Sequence, residues 1–193
     1  MKNLINKAVK TNTLSHSEIV EILQDETCND YLFKAADSVR KIRVGDAVHL
    51  RGLIEFSNIC GQNCKYCGIR RDNSFVERYA MTPENIFETA KRAASLGFKT
   101  VVLQSGETQT YSIETLCEIV KKIKTLDIAV TLSIGEKNED EYRALKEAGA
   151  DRYLLRIETT SHRIYNELHP DMSLSRRKAC IHFLKKIGFE TGT

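Results

Sequence analysis

The sequence has no long apolar run, little excess charge and few prolines. No stretch approaches the roughly 18 apolar residues that a membrane-spanning helix needs. The net charge of +3 is too small to predict binding to nucleic acid or to an anionic membrane. Only two prolines occur in 193 residues, and no segment is of low complexity. With 28% charged and 41% hydrophobic residues, the chain has the balance of a globular protein with a sizeable core.

The first residues, MKNLINKAVKTNTLSHSE, lack the apolar core of a signal peptide. We therefore expect a cytoplasmic protein, in which thiols stay reduced. Clustered cysteines in that compartment indicate metal ligands or redox groups. Three further cysteines, Cys28, Cys117 and Cys180, are scattered along the chain, and we expect them to be small buried hydrophobic residues.

Predicted strands and helices alternate after residue 50. The strands are LRGLIEFS (50–57), KTVVLQ (99–104), IAVTLSI (128–134) and DRYLLRIE (151–158), and FETGT (189–193) begins a fifth. The helices cover 81–97, 112–126, 138–149 and 173–188. This alternation predicts an α/β fold with a parallel sheet and right-handed crossovers. Both a (β/α) barrel and an open doubly wound sheet fit the pattern.

The length favours part of a barrel. About four βα units and the start of a fifth strand are present, whereas a complete TIM-type barrel needs roughly 250 residues. We expect an incomplete (β/α) barrel over residues 46–193 and an N-terminal helical segment over 1–45. Two short helices are predicted within 16–40, the first capped by Ser15 or Ser17.

The segment FSNICGQNCKYCGIRRDN contains three cysteines, Cys60, Cys64 and Cys67, in the spacing C-x3-C-x2-C. Disulfides need pairs, and a closed zinc site needs four ligands. A [4Fe–4S] cluster held by three thiolates leaves one iron open to a small molecule with amino and carboxylate groups. The segment follows the first predicted strand of the series, where the active sites of (β/α) barrels lie. A zinc site that borrows a distant Cys or His is the alternative.

This motif resembles the signature of the radical S-adenosylmethionine (SAM) superfamily, in which an aromatic residue, here Tyr66, precedes the last cysteine. The segments RVGDAVHLRGLIEFSNICGQNCKYCGIRRDN, RYAMTPENI, KTVVLQSGE, VTLSIGE and DRYLLRIETT resemble the HydE-type maturases of [FeFe]-hydrogenase. That family is itself similar to biotin synthase and methylornithine synthase. The resemblance runs from about residue 40 to the last residue. It implies an N-terminal part of a radical SAM barrel, and we expect a polypeptide of these residues alone to self-associate and to lack full activity.

The resemblance also assigns roles to other residues. Cys60, Cys64 and Cys67 would hold a [4Fe–4S] cluster, and the segment Gln104, Ser105, Gly106 and Glu107 would hold the amino group of SAM. Glu158 would contact SAM, and Arg177 would pair with the SAM carboxylate. Arg156 would hold an anionic substrate group, and Thr131 and Ser133 match positions near the substrate.

Each of these roles has a structural alternative. Arg156 and Glu158 alternate with apolar residues in DRYLLRIE, so they can equally form an ion pair at the barrel end. Arg177 can be a solvated helix residue, and Thr131 and Ser133 can be hydrogen-bonded filler. The histidines His16, His49, His162, His169 and His182 form no recognisable ligand pair, so we expect them to be surface or capping residues.

The resemblance implies reductive cleavage of SAM to a 5′-deoxyadenosyl radical. The expected substrate is a small molecule or a small organometallic unit, such as a cysteine-bound iron carbonyl–cyanide unit of the hydrogenase di-iron centre. Expected partners are an electron donor such as ferredoxin or flavodoxin and other hydrogenase maturation proteins, under anaerobic conditions. Two other hypotheses remain at this point: a biotin-synthase-like or methylornithine-synthase-like enzyme acting on a small organic acid, and a non-catalytic zinc-binding scaffold.

Overall fold

The computed structural model describes all 193 residues as two compact units, Met1–His49 and Leu50–Thr193. The first unit contains α1 (Lys2–Thr11), α2 (His16–Gln24), a 3₁₀ turn (Glu26–Cys28) and α3 (Asn29–Val44). Ser15 caps α2, because its side chain accepts from the backbone N–H of Glu18 while the Glu18 carboxylate accepts from the N–H of Ser15. The two predicted helices are present, α3 being longer than expected, and α1 was not predicted.

The second unit is a series of βα units around one parallel sheet. Its elements are β1 (Gly52–Ser57), α4 (Pro83–Ser95), β2 (Thr100–Ser105), α5 (Ile113–Lys124), β3 (Ala129–Ser133), α6 (Glu139–Glu147), β4 (Arg152–Leu154), α7 (His162–Leu168), α8 (Leu174–Ile187) and β5 (Glu190–Gly192). The strands lie in the order β1-β2-β3-β4-β5, and every neighbouring pair is parallel. An unbroken order is typical of a (β/α) barrel, because a doubly wound sheet reverses its order at a switch point. The predicted fold class is confirmed.

The helices begin where the sequence supplies a cap. Thr82 accepts from the backbone N–H of Asn85, with Pro83 in the first turn of α4. Ser112 and Asn138 cap α5 and α6 in the same way. The apolar stripe of each helix then packs on the sheet in one core, whose fully buried members include Ile86, Val101, Ile123, Val130, Leu132, Leu145 and Leu184.

One prediction about local structure was wrong. The fourth strand is only three residues long, so Arg156 and Glu158 lie beyond its carboxyl end and are exposed. Glu158 itself has a φ of +59°, a left-handed conformation outside the extended region that strands occupy. The short helix α7 was not predicted at all.

The strand register brings the loops of interest to one edge. Ser57 pairs with Ser105, and Gln104 pairs with Ser133, so the carboxyl ends of β1, β2 and β3 are level. The segments that follow these strands therefore meet at the same end of the sheet. None of the helices combines the length and the apolar composition that crossing a bilayer requires.

Candidate active site

The cysteine-containing segment after β1, residues 58–73 (the cysteine loop), is tied to two distant parts of the chain. The N–H of Gly61 donates to the carbonyl of Glu107, just after β2, at 2.7 Å. The N–H of Lys65 donates to the carbonyl of Leu168, at the end of α7, at 3.0 Å. Both anchors use backbone groups, so these two contacts do not depend on the side chains of Gly61 and Lys65.

Arg78 binds the backbone of the cysteine loop. Its guanidinium donates to four backbone carbonyls, those of Asn58 (2.7 Å), Ile69 (2.8 Å), Arg70 (2.7 Å) and Asn73 (3.2 Å). A guanidinium has five donors in a rigid fork, so one side chain can bind several backbone carbonyls of the loop at once. No sequence pattern pointed to Arg78, because its partners are carbonyls, which every residue has.

Gly106 lets the end of β2 approach the cysteine loop. A Cβ atom at this position would lie 2.3 Å from the carbonyl oxygen of Ile59 and 2.7 Å from the Cβ of Cys60. The N–H of Gly106 also donates to the carbonyl of Ser57 at 3.1 Å. The absence of a side chain at Gly106 therefore makes room for the chain segment that carries the first cysteine.

A cavity of about 200 Å³ opens at the carboxyl ends of the strands. Most of the predicted site residues line it: Cys60, Cys64, Tyr66, Cys67, Gln104, Ser105, Gly106, Glu107, Ser133, Arg156, Glu158 and Arg177. Thr131 does not. It is buried below the cavity, and its hydroxyl oxygen has no hydrogen-bond partner, so it is not the hydrogen-bonded filler of the alternative interpretation.

The three thiols suit a cluster better than a single ion. All three are free and partly buried, and no group of three His, Cys, Asp or Glu side chains converges closely enough to hold one metal ion. Burial raises the pKa of the Cys64 thiol, and the nearby Cys60 and Cys67 raise it further. Neighbouring thiolates repel one another unless metal ions lie between them, and in an iron–sulfur cluster each thiolate binds its own iron.

The carboxylate of Glu107 is held between two loops. Gln62, on the cysteine loop, donates to its Oε1 at 2.8 Å, and the N–H of Glu136 donates to its Oε2 at 3.0 Å. Gly135 makes room for this contact, because a Cβ there would lie 2.3 Å from Oε2. Each carboxylate oxygen keeps further acceptor capacity, so Glu107 can still accept hydrogen bonds from a ligand amino group.

Arg177 is buried, so it is not the solvated helix residue of the alternative interpretation. Its Nε lies 3.1 Å from Oε1 of Glu136 and 3.3 Å from the hydroxyl of Tyr165. The Glu136 contact lacks hydrogen-bond geometry and leaves Oε1 without a donor. Burial opposes the charge of Arg177, but Tyr165 and Glu136 outweigh it and raise its pKa.

The terminal nitrogens of Arg177 remain available to a ligand. The single hydrogen-bond contact of Nη2 is the sulfur of Met172 at 3.6 Å. Arg176, the neighbouring arginine, instead points to the surface, with 64% of its side chain exposed, and pairs with Oε2 of Glu136 at 2.9 Å. Of the two adjacent arginines, therefore, only Arg177 lines the 200 Å³ cavity.

Neither Arg156 nor Glu158 takes part in an ion pair, so the structural-pair alternative does not hold for them. Glu158 has one hydrogen-bond contact, with the hydroxyl of Tyr66 at 3.4 Å. Arg152, the third charged residue of the alternating segment, pairs with Glu190 of β5. Of the three charged residues in this segment, the two that line the cavity are thus the two without an ion-pair partner.

His169 is a site residue that the sequence did not indicate. It follows α7 as its C-terminal cap, as the capping interpretation allowed, but it is buried and its Nδ1 lies 3.2 Å from the Sγ of Cys64. Burial, together with the charge of Arg177, lowers the pKa of the imidazole. The two residues are 105 positions apart, and no spacing rule connects them.

A larger cavity of about 660 Å³ adjoins the first and shares Cys60, Gln62, Glu107 and Met172 with it. Its lining contains two ion pairs, Arg71 with Asp171 and Arg176 with Glu136. The smaller cavity contains all three cysteines and the unpaired charges, so we place the chemistry there.

Comparison with known proteins agrees with this geometry. Residues 54–193 match the model of the radical SAM superfamily. This chain belongs to the radical SAM superfamily. Members of this superfamily use a [4Fe–4S] cluster and SAM, and the three-cysteine loop and its cavity lie inside the matched range.

The individual relatives belong to the families that the sequence motifs resemble. The [FeFe] hydrogenase maturase subunit HydE of Thermotoga maritima is 51% identical over 170 residues, which are 88% of this chain and 49% of that protein. Biotin synthase of Staphylococcus haemolyticus is 29% identical over 95% of this chain and 59% of its own length. The crystal structure of methylornithine synthase superposes with a TM-score of 0.86 at 27% identity, over 97% of this chain and 57% of that one. The chain thus spans about half the length of the relatives that it matches.

Proposed function

We propose that this protein is a radical SAM enzyme that acts in assembling the di-iron cofactor of [FeFe]-hydrogenase. The observation that carries the proposal is the single cavity in which three free cysteines face Glu107, Glu158 and Arg177. The 51% identity to a HydE maturase supports the choice of reaction within the superfamily.

Cys60, Cys64 and Cys67 would hold a [4Fe–4S] cluster, and the cluster, when bound, supplies the electron that breaks a C–S bond of SAM to give methionine and a 5′-deoxyadenosyl radical. The terminal nitrogens of Arg177 would bind the SAM carboxylate, since a guanidinium fork matches two oxygens. Glu107 would accept from the amino group, and Glu158 from ligand hydroxyls at the mouth of the cavity. Held at both ends, SAM would have one orientation relative to the cysteine loop.

The substrate in this proposal is a small organometallic unit, such as a cysteine-bound iron carbonyl–cyanide fragment. Arg156 is exposed, unpaired and part of the cavity lining, so it would attract an anionic group of such a substrate. An electron donor such as ferredoxin or flavodoxin and other hydrogenase maturation proteins would be the partners.

The experiment is anaerobic reconstitution of the protein, followed by iron and sulfide analysis and an assay for 5′-deoxyadenosine. We expect about four irons per chain, EPR signals that change when SAM is added, and 5′-deoxyadenosine that forms only with a reductant. A protein that binds zinc and no iron would contradict the proposal. The protein could instead form product from a biotin or methylornithine precursor and be inactive in a hydrogenase maturation assay. That result would support the radical chemistry and reject the proposed substrate class.

A further inference from the structure

His169 contacts a proposed cluster ligand without being one of the residues used above. Its Nδ1 lies 3.2 Å from the Sγ of Cys64, and 3% of the residue is exposed. On the other side of the ring, Nε2 lies 3.4 Å from the hydroxyl of Tyr66. The imidazole therefore bridges two residues of the cysteine loop from a position more than a hundred residues later in the chain.

The imidazole is held in this orientation by two aromatic rings and by a backbone hydrogen bond. It stacks on the ring of Tyr165, with centroids 4.4 Å apart and planes at 28°. The ring of Tyr66 meets it edge to face at 5.3 Å. Its backbone N–H donates to the carbonyl of Tyr165 at 2.8 Å, and the preceding residue, Leu168, accepts from the N–H of Lys65. The contact with Cys64 is thus part of the anchoring of the loop.

The proton on the ring is placed by its partners. A cysteine that ligates iron is a thiolate, which accepts hydrogen bonds and donates none. Nδ1 must therefore carry the hydrogen in the contact with Cys64. The hydroxyl of Tyr66 lies 3.4 Å from both Nε2 and Oε1 of Glu158, and its one hydrogen can serve only one of them, so the contact with Cys64 decides the tautomer.

We propose that His169 is a positioning residue whose Nδ1–H donates to the thiolate of Cys64 and raises the reduction potential of the cluster. The inference rests on the proposed function, since it requires a cluster bound to Cys64. Reduction adds negative charge to the cluster and its sulfur ligands, and a hydrogen bond to one of those sulfurs stabilises the reduced state more than the oxidised one. The protein would in this way ease the delivery of an electron to the site.

Two amide substitutions separate the two faces of the ring. In His169→Asn the side-chain nitrogen can occupy the place of Nδ1, whereas in His169→Gln it can reach the place of Nε2. Both side chains are neutral and polar, so they differ mainly in whether they can donate to Cys64 or reach Tyr66. His162→Gln is the matched control, because His162 is the exposed first residue of α7.

The measurement is an EPR-monitored redox titration of the reconstituted protein without SAM, with iron and sulfide content checked for each variant. We expect His169→Gln to lower the equilibrium constant for one-electron reduction about tenfold, a shift of about 59 mV to more negative potential. His169→Asn should stay close to the wild type, and His162→Gln should not differ from it. Equal potentials in all four proteins, or equal shifts in the Asn and Gln variants, would overturn the inference.

The wild-type protein gives a second readout that does not depend on the variants folding. With ¹⁵N-labelled histidine, pulsed EPR of the reduced cluster should show one weakly coupled histidine nitrogen. A strong coupling would mean that His169 ligates iron directly, and no coupling would mean that it does not touch the site; either result overturns the inference. A wild-type protein that assembles no cluster would instead reject the proposed function, so the two failures are distinguishable.

Discussion

Gln62 and Glu107 are joined by a hydrogen bond of 2.8 Å between the side-chain amide and a carboxylate oxygen. Gln62 lies two residues after the first cysteine, and Glu107 lies two residues after the end of β2. The contact couples the cysteine loop to the segment proposed to hold the amino group of SAM. Cluster binding and SAM binding are therefore expected to depend on one another, although separate substitutions can still distinguish them.

Replacement of Cys60, Cys64 or Cys67 by Ala should abolish stable cluster binding, because each thiolate is expected to hold a different iron. Iron and sulfide analysis after anaerobic reconstitution measures this. Cys117→Ala is the matched control, since Cys117 is a partly buried free cysteine on α5, outside the cavity. A Cys64→Ala protein that keeps a full cluster would show that the loop does not act as proposed.

Glu158→Gln should weaken SAM binding and leave the cluster assembled. The substitution preserves the size of the side chain and removes its charge, and a hydrogen bond to a charged group contributes about 1.5–3 kcal/mol. The affinity should therefore fall about tenfold or more, as measured by isothermal titration on the reconstituted protein. Glu167→Gln is the control, because Glu167 is an exposed residue of α7 that pairs with Arg163. If Glu158→Gln and Glu167→Gln bind SAM with equal affinity, the assignment of Glu158 as a SAM contact is wrong.

Arg177→Lys should also lower the SAM affinity about tenfold, because lysine keeps the charge but loses the bidentate fork. Lysine can still neutralise the buried Glu136, so the fold should survive better than with alanine. Arg176→Lys provides a matched control at the adjacent, exposed position. If the two variants weaken binding equally, the assignment of the SAM carboxylate to Arg177 is wrong.

Gly106→Ala should reduce cluster content and thermal stability together. The added methyl group would meet the Ile59 carbonyl and the Cβ of Cys60, so the cysteine loop would have to move. Overpacking of this kind typically costs about 1–3 kcal/mol. Gly68→Ala serves as the control on the same loop, since a Cβ there has nothing within 4 Å. A Gly106→Ala protein with normal cluster content and melting temperature would mean that the loop adjusts freely.

Much of the fold could be predicted because its signals are local. Thr82 and Pro83 begin α4, and buried runs such as KTVVLQ form strands flanked by helices. β4 could not be delimited, because DRYLLRIE alternates to its end while the strand stops at Leu154. A period-two pattern records which residues are polar, and a polar residue beyond a strand looks the same as one within it.

The site was only partly predictable for a similar reason. The cysteines, Glu107 and Arg177 were found through a resemblance that depends on short motifs. His169 and Arg78 contact the cysteine loop through a single ring nitrogen and through backbone carbonyls, and such contacts leave no periodicity or spacing in the sequence. Thr131 matched a family position, yet it precedes Ser133 on β3 and lies outside the cavity lining.

The anchoring of Lys65 to Leu168 and of Cys64 to His169 sets an order of events during synthesis. The two cysteine-loop residues emerge from the ribosome more than a hundred residues before their partners. At about 5–20 residues per second, the thiols wait roughly 5–20 seconds for the segment that closes over them. During that interval the loop lacks its imidazole and one of its backbone anchors, and its cysteines are open to oxidants and to stray metal ions. Cluster insertion is therefore expected to follow the synthesis of α7, late in the production of this unit.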